Sequence, residues 1–485
     1  MRSFLELFNK METDYAERTA IRWLEDDSDI IQARSYAELC ADIRRSLHAL
    51  RGEAPLQSGT HVAILARSGY DYVVAALALL LNGCVLVPLN YEKSSAEIAD
   101  ELSRADVSVV IHDGCYAERE GSLSGIFDGR LMELADYHKH IPLSGPIEAT
   151  DCHVPAMILY TSGSTGVSKG VVHSQSSILC AVEQDIPDNQ TLQAFFGKKP
   201  GEHVSELVVA PLYHVCSYDR ICCRFLGGDT VELCTGAMLF SRCLRELDGE
   251  VMLAFPVIYE TLYKYVRSGK LEKLGKLRLL CSCGAPINGD VMRVLAAHGF
   301  AFSNGLGLTE TFGSATRNMS CRIELLESIG PAQGNVEYRL APNGELIFRG
   351  ESLMLGYYND PAATAEVIDE EGWFHTGDLA REDENGYLYI IGRSKNLIIL
   401  SSGENINPEE LEALLLHCEE IEECYVKEKD KKLCAVIYCP AEQQQTVRDY
   451  IAEMNRSLPR YKQINLLEFT AEPLPRTATG KILRG

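Results

Sequence analysis

Tyr160-Thr-Ser-Gly-Ser-Thr-Gly-Val-Ser-Lys-Gly170 is the stretch on which the reading of this chain turns. Ahead of it, Ala156 to Tyr160 reads as a buried strand. The loop that follows gathers Gly163, Gly166 and Gly170, the hydroxyls of Thr161, Ser162, Ser164 and Thr165, and the cation Lys169. Glycines let backbone N–H groups turn toward one point, hydroxyls add donors and a lysine adds a point charge, so the composition suits a phosphate. A Walker A loop needs four residues between its first glycine and a Gly-Lys pair; here only Val167 and Ser168 separate Gly166 from Lys169, which excludes the P-loop NTPase signature. On composition alone, a mobile Gly/Ser surface loop is the plainer reading.

Outward from this loop the chain alternates. Strand His61 to Ala66, a helix to Leu81, strand Cys84 to Pro88, helix Ser94 to Arg104 and strand Val107 to Ile111 predict right-handed βαβ units in a mostly parallel, doubly wound sheet. A second run of this kind is expected to hold the phosphate-type loop with strands Glu206 to Pro211 and Leu277 to Cys281. Past about residue 330 the texture changes to hairpins, with turn signals at Ala341-Pro-Asn-Gly344 and Glu384-Asn-Gly386. Asn407-Pro-Glu-Glu410 starts a helix with Leu411, Leu414, Leu415 and Cys418 on one face; two strands, a helix bearing Val447, Tyr450, Ile451 and Met454, and a strand Ile464 to Phe469 follow. The expected class is α/β: a large N-terminal domain (1–393) of doubly wound sheets with a β-rich subdomain at about 330–393, and a small mobile α+β C-terminal domain (394–485).

Composition narrows the function. The 485 residues are 46% hydrophobic, ample for buried cores, and carry a net charge of −23, which argues against non-specific nucleic-acid binding. The 17 cysteines are scattered, odd in number and without a Cys-x-x-Cys pair, and Met1 to Asp27 shows no apolar export segment, so reduced thiols in a cytoplasmic protein are expected. Tyr72 to Leu89 is the most membrane-like segment, but Asn82-Gly83 breaks it into a buried helix and a strand, and no membrane span is expected.

The strand, the loop and the Lys169-Gly-Val-Val-His173 run resemble the nucleotide-phosphate loop of the AMP-forming adenylating superfamily, which takes in acyl-CoA synthetases, aryl-CoA ligases, stand-alone adenylation domains and firefly-type luciferases. Further motifs follow in that superfamily's order from about residue 30 to the end. Asn304-Gly-Leu-Gly-Leu-Thr-Glu310 is not a dinucleotide fingerprint, since Glu stands where GxGxxG needs its last Gly. By resemblance Asn304, Gly305, Leu306 and Gly307 line the adenine and α-phosphate, Thr309 touches phosphate, and Glu310 holds Mg2+, for which one carboxylate suffices. Leu306 stands where many relatives stack an aromatic ring on the purine. Gly284, Ala285 and Pro286 of Cys283-Gly-Ala-Pro286 resemble the other adenine wall.

In Trp373-Phe-His-Thr-Gly-Asp378 the resemblance gives Asp378 both ribose hydroxyls, an Asx-turn at a strand end being the plainer alternative, and Arg393 reaches ribose or phosphate. Lys395 falls at the superfamily's hinge. Lys481, in Pro475-Arg-Thr-Ala-Thr-Gly-Lys481, matches the catalytic lysine that bridges carboxylate and α-phosphate. His214, in Pro211-Leu-Tyr-His214, matches the gate beside the acyl carboxylate, a satisfied core histidine being the alternative. Gly403, in Ser401-Ser-Gly-Glu-Asn405, matches the loop that lies along the pantetheine tunnel in thiol-ligating members of the superfamily. Asp219-Arg220 either pairs with a polar substrate group or is a solvated or self-paired surface pair.

The resemblance implies ATP, Mg2+ and coenzyme A, with an acyl-adenylate intermediate: an AMP-forming acid–CoA ligase acting on a small-molecule carboxylic acid. An acyl-carrier protein as thiol acceptor and an inactive nucleotide-binding scaffold are the alternatives. The set Lys169, Glu310, Asp378, Arg393 and Lys481 speaks against the scaffold.

Overall fold

The computed structural model describes the chain except residues 26–29, 53, 162–167, 185, 200, 201, 283–286, 288, 321, 335, 400–404, 477–481 and 485; at 186–190, 399 and 405 only the backbone is described. By internal contacts the chain divides into two compact units, residues 1–337 with 349–368, and residues 338–348 with 369–485.

The first unit is built on two sheets. Helix Tyr70–Leu81 is apolar on nearly every side and is buried almost throughout; Asn82 caps it and Gly83, at φ 73°, turns the chain into strand Val85–Pro88. That strand pairs in parallel with His61–Leu65, which pairs with Val109–His112 and so with Arg130–Glu133. On the other side Val85–Pro88 pairs in parallel with Pro155–Tyr160, the strand leading into the Gly/Ser loop. This corrects the sequence expectation: the loop belongs to the first βαβ run, not to the second. Its return strand Gly170–Ser174 is antiparallel, and the short strand Gly356–Tyr357 closes this edge, also antiparallel.

The second sheet runs Ala301–Ser303, Leu279–Ser282, Val251–Ala254, Ser205–Val208, Thr230–Leu233, Thr19–Leu24 and Ile31–Ser35. All neighbours are parallel except the last pair. The buried faces of helices Tyr36–Leu50, Tyr70–Leu81 and Val215–Gly227 share one apolar core between the sheets. Each buried Leu or Val side chain there contributes about 1.5–3 kcal/mol. Among the described residues no helix is long and apolar enough to cross a membrane, and the cysteines are free thiols.

Strands Val336–Leu340, Glu345–Gly350, Phe374–Glu382 and Leu388–Arg393, most of whose residues belong to the second unit, form one sheet, with both expected hairpin turns in place and Gly344 and Gly386 at φ 84° and 81°. Helix Pro408–Leu415 is capped by Asn407, whose side chain accepts from the Glu409 N–H. It packs with helix Gln444–Ser457 on the sheet Glu423–Lys429, Lys432–Tyr438, Leu466–Thr470 around Leu411, Leu415, Val447 and Ile451. The fold is mixed α/β with parallel sheets in the larger part, as expected.

Candidate active site

The base of the Gly/Ser loop is closed by its own ends. Thr161 N–H donates to the Lys169 carbonyl at 3.0 Å and Lys169 N–H to the Thr161 hydroxyl at 3.3 Å. Helix Ser95–Arg104 braces it: the Ser168 hydroxyl donates to Glu101 at 2.8 Å and Arg104 donates to the Ser168 carbonyl at 2.7 Å. Glu101 is buried and also ion-paired with Lys93. Ser162, Gly163, Ser164, Thr165 and Gly166 lie outside the described residues.

Lys169 and Glu310 meet at a residue that sequence reasoning missed. The Lys169 ammonium sits 4.7 Å from the ring centroid of Tyr357, and the Tyr357 hydroxyl donates to Glu310 Oε1 at 2.8 Å. Burial, with Glu310 adding to it, holds that phenol protonated. Strand Gly170–Ser174 also carries His173, which is fully buried; its Nε2–H donates to the Thr309 carbonyl at 2.7 Å and its ring meets the edge of Phe312. Burial pushes the His173 imidazole down to about 4, so it is neutral at pH 7.

The Asn304–Glu310 segment owes its glycines to close backbone approach. A Cβ at Gly305 would lie 2.4 Å from the Thr316 carbonyl oxygen, and one at Gly307 would lie 2.8 Å from that of Gly313. Leu306 N–H donates to the Thr316 hydroxyl at 3.0 Å, and the Asn304 amide donates to the Leu326 carbonyl. Gly284, Ala285 and Pro286 are not among the described residues.

At the gate, His214 stands at the N-terminus of helix Val215–Gly227, its ring 4.6 Å from Tyr213 and 5.5 Å from Phe255. Burial, with the Lys93 ammonium adding to it, pushes its imidazole down to about 4. Leu212 N–H donates to the Ser68 hydroxyl at 3.0 Å, which ties this turn to the end of strand His61–Leu65. The solvated reading of Asp219-Arg220 fails: both are buried, and Arg220 donates to both oxygens of Glu206 at 2.8 and 2.9 Å. Arg224 pairs with Glu206 and with Asp229, each at 3.1 Å. Burial alone would raise the Glu206 carboxyl, but Arg220 and Arg224 outweigh it and hold it below its usual range.

In the second unit Asp378 lies within strand Phe374–Glu382, opposite Arg393, and is 3% exposed. Arg393 Nε contacts Asp378 Oδ1 at 2.7 Å. The turn before it is held by the Thr376 hydroxyl, which accepts from Asp378 N–H at 3.0 Å, and by Glu345, which accepts from Gly377 N–H at 2.8 Å. Lys395 follows in a short 3-10 turn, its ammonium lowered by burial and by Arg393. Gly403 and Lys481 lie outside the described residues, but the flanks of 477–481 are described: Arg476 and Ile482 form an isolated bridge, Leu483 N–H donates to the Pro475 carbonyl at 2.7 Å, Arg476 pairs with Glu423 at 2.8 Å and Arg484 pairs with Glu409 and Glu412.

Residues 8–358 match the family model described as AMP-binding enzyme, and residues 395–485 match the model of its C-terminal domain. The chain belongs to the AMP-binding enzyme family. Among curated relatives of this AMP-binding enzyme, a feruloyl-CoA synthase of Amycolatopsis sp is 30% identical over 488 residues, covering 93% of each chain. A 4-coumarate-CoA ligase of Narcissus pseudonarcissus is 26% identical, covering 93% of this chain and 87% of that one. The fold is shared with the O-succinylbenzoate coenzyme A synthetase of Bacillus subtilis in complex with AMP (TM-score 0.81, 24% identity, 99% of this chain and 97% of that one). An anthranilate CoA ligase in complex with anthranoyl-AMP shares it too (TM-score 0.84, 19% identity, 99% and 95%).

Proposed function

We infer that this AMP-binding enzyme is an acid–CoA ligase that converts an aryl carboxylic acid of the cinnamic type to its adenylate, releasing pyrophosphate, and then to its coenzyme A thioester. The observation that carries the reading is the convergence of Lys169 and Glu310 on Tyr357 beside the closed base of the Gly/Ser loop. A cation and a carboxylate beside the base of a hydroxyl-rich loop suit a nucleotide phosphate with its metal. The choice of an aryl acid rests on the feruloyl and coumarate relatives and on the ring cluster Tyr213, His214, Phe255 at the gate.

Among the described residues no group of three or more His, Cys, Asp or Glu side chains is arranged to hold a metal ion. Glu310 offers a hard oxygen donor, which fits an ion that draws its other ligands from phosphate and water, as Mg2+ does. When bound, Mg2+ neutralises charge on the phosphate oxygens. Lys169 and the loop donors hold the phosphates, Thr309 adds a hydroxyl, and Asp378 with Arg393 holds the ribose. The neutral His214 ring lines the path of the acid and supplies no charge. Lys481 is assigned the charge that develops as the carboxylate attacks the α-phosphorus. Lys395 is assigned the hinge between residues 1–393 and 394–485, which exchanges Lys481 for the thiol path along Gly403.

The test is pyrophosphate release from ATP across aryl, fatty and short polar acids, each with and without coenzyme A. Turnover of a cinnamic-type acid that rises with coenzyme A supports the reading. Turnover indifferent to coenzyme A would turn the assignment toward loading of an acyl-carrier protein, and silence across the panel would overturn it.

A further inference from the structure

We propose that Tyr357 is a positioning residue that holds Glu310 and Lys169 at separate stations, its hydroxyl on the carboxylate and its ring face under the ammonium, so that neither charge neutralises the other before the nucleotide and its metal arrive. The inference rests on the assignment of the metal to Glu310 and of phosphate to Lys169.

The geometry around Tyr357 is over-determined, as a positioning role requires. Its strand lies at the edge of the sheet against Gly170–Ser174, with Tyr357 opposite Val171, two residues beyond Lys169. Leu355 N–H donates to the Val172 carbonyl at 2.8 Å, and Tyr358 N–H donates to the Gly170 carbonyl at 2.7 Å. Tyr357 N–H donates to the Thr364 hydroxyl at 2.9 Å, and Gly356 takes φ 141° where a Cβ would press on Thr364 at 3.0 Å. The same segment grips Glu310 a second time: Met354 N–H donates to the Glu310 carbonyl oxygen at 2.9 Å. Glu310 is thus held at both backbone and side chain by residues 354–357. Lys169 and Glu310 each contact Tyr357, the ammonium at the ring face and the carboxylate at the hydroxyl.

With the ring removed, the ammonium and the carboxylate, both held by the same side chain, are left to attract each other directly. A pair so formed would withhold the carboxylate from the metal and the ammonium from phosphate. The phenol prevents this by offering each charge a better-placed partner: a hydrogen-bond donor for the carboxylate, and a negative ring face for the cation. Ligating carboxylates are commonly oriented by such hydrogen bonds, and loss of one weakens metal binding on the order of tenfold.

The experiment is a titration of Mn2+ into the enzyme with the non-hydrolysable α,β-methylene ATP, read by the electron paramagnetic resonance of free Mn2+, with analogue affinity measured separately by calorimetry. Tyr357→Phe keeps the ring and deletes the hydroxyl, so Mn2+ affinity is expected to fall on the order of tenfold while metal-free analogue affinity changes less than about twofold. Tyr357→Leu removes both stations and is expected to weaken the analogue as well. If Tyr357→Leu does not fold, Tyr357→Phe alone carries the test. Wild-type Mn2+ affinity in Tyr357→Phe, with Glu310→Gln weakened, overturns the positioning role and leaves the metal site standing. Wild-type Mn2+ affinity in Glu310→Gln overturns the metal assignment itself and this inference with it.

Discussion

His173 Nε2 lies 2.7 Å from the carbonyl oxygen of Thr309, across a contact that is 136 residues long in sequence and fully buried on the histidine side. A carbonyl only accepts, so Nε2 carries a proton, and burial keeps the ring neutral at pH 7. Burial pushes the folded imidazole down to about 4, whereas an unfolded histidine takes up its proton near pH 6.5. Between these values the unfolded chain binds more protons, so this stability is complete above pH 6.5 and is lost as pH falls through that window to 4. The loss is on the order of 3 kcal/mol. His173→Gln keeps a donor and cannot titrate. Urea unfolding of the wild type at pH 7 and pH 4.5 is expected to differ more than that of the variant, and equal differences would sink the assignment.

Arg220 is buried against Glu206, a placement from which we expect a role in the fold and not in reading the acid. Removing Arg220 leaves Glu206 less fully compensated, with Arg224 still paired to it, at a cost of up to about 3–5 kcal/mol. Arg220→Met is expected to lower the urea midpoint sharply while the ranking of acids by kcat/KM stays as in the wild type. A reordered ranking at preserved stability would show that the guanidinium reads the acid after all.

Asp378 and Arg393 form a pair whose arginine side chain is 33% exposed and whose carboxylate is 5% exposed. Arg393→Ala strands a buried carboxylate, and solvent at the arginine softens the cost to about 2–3 kcal/mol. The larger effect is expected in function: with the ribose role proposed for Asp378, losing the arginine that orients it raises the KM for ATP at least about tenfold. Asp378→Asn should raise that KM with a smaller stability change. An unchanged KM for ATP in both variants would remove the ribose assignment.

Arg484 reaches Glu409 at 3.1 Å and also Glu412, directly after the stretch that carries Lys481. With the role proposed for Lys481, loosening this anchor misplaces the cation relative to the α-phosphate. Arg484→Ala is expected to lower kcat for acid-dependent ATP–pyrophosphate exchange about 10–100-fold with KM for ATP nearly unchanged. Exchange at the wild-type rate would mean that Arg476 and Glu423 suffice to hold the loop.

Much of this was legible in the residues alone, and unevenly so. Helix Tyr70–Leu81 and its stop at Asn82-Gly83, the capped start at Asn407, and the turns at Gly344 and Gly386 follow local chemistry and appear within a few residues of where that chemistry puts them. Strand Thr19–Leu24 was missed because its partner, Thr230–Leu233, lies about two hundred residues away and its own pattern is mixed. The Gly/Ser loop strand went to the wrong sheet for a related reason: the sequence shows that a strand is apolar, but a β-strand carries no label for its neighbours.

The sequence by itself determined the chemistry on offer: a hydroxyl- and glycine-rich loop with Lys169, a lone Glu310, an Asp378 after a Thr-Gly turn, and the family to which these belong. Tertiary structure alone decided what those groups meet. It brought Tyr357 between Lys169 and Glu310, set His173 under Thr309, buried Arg220 against Glu206, and paired Asp378 with Arg393. Motif spacing is local, fixed by a few backbone dihedrals and readable along the chain. Burial and pairing are products of how distant strands take their register, and no stretch of residues contains that information on its own.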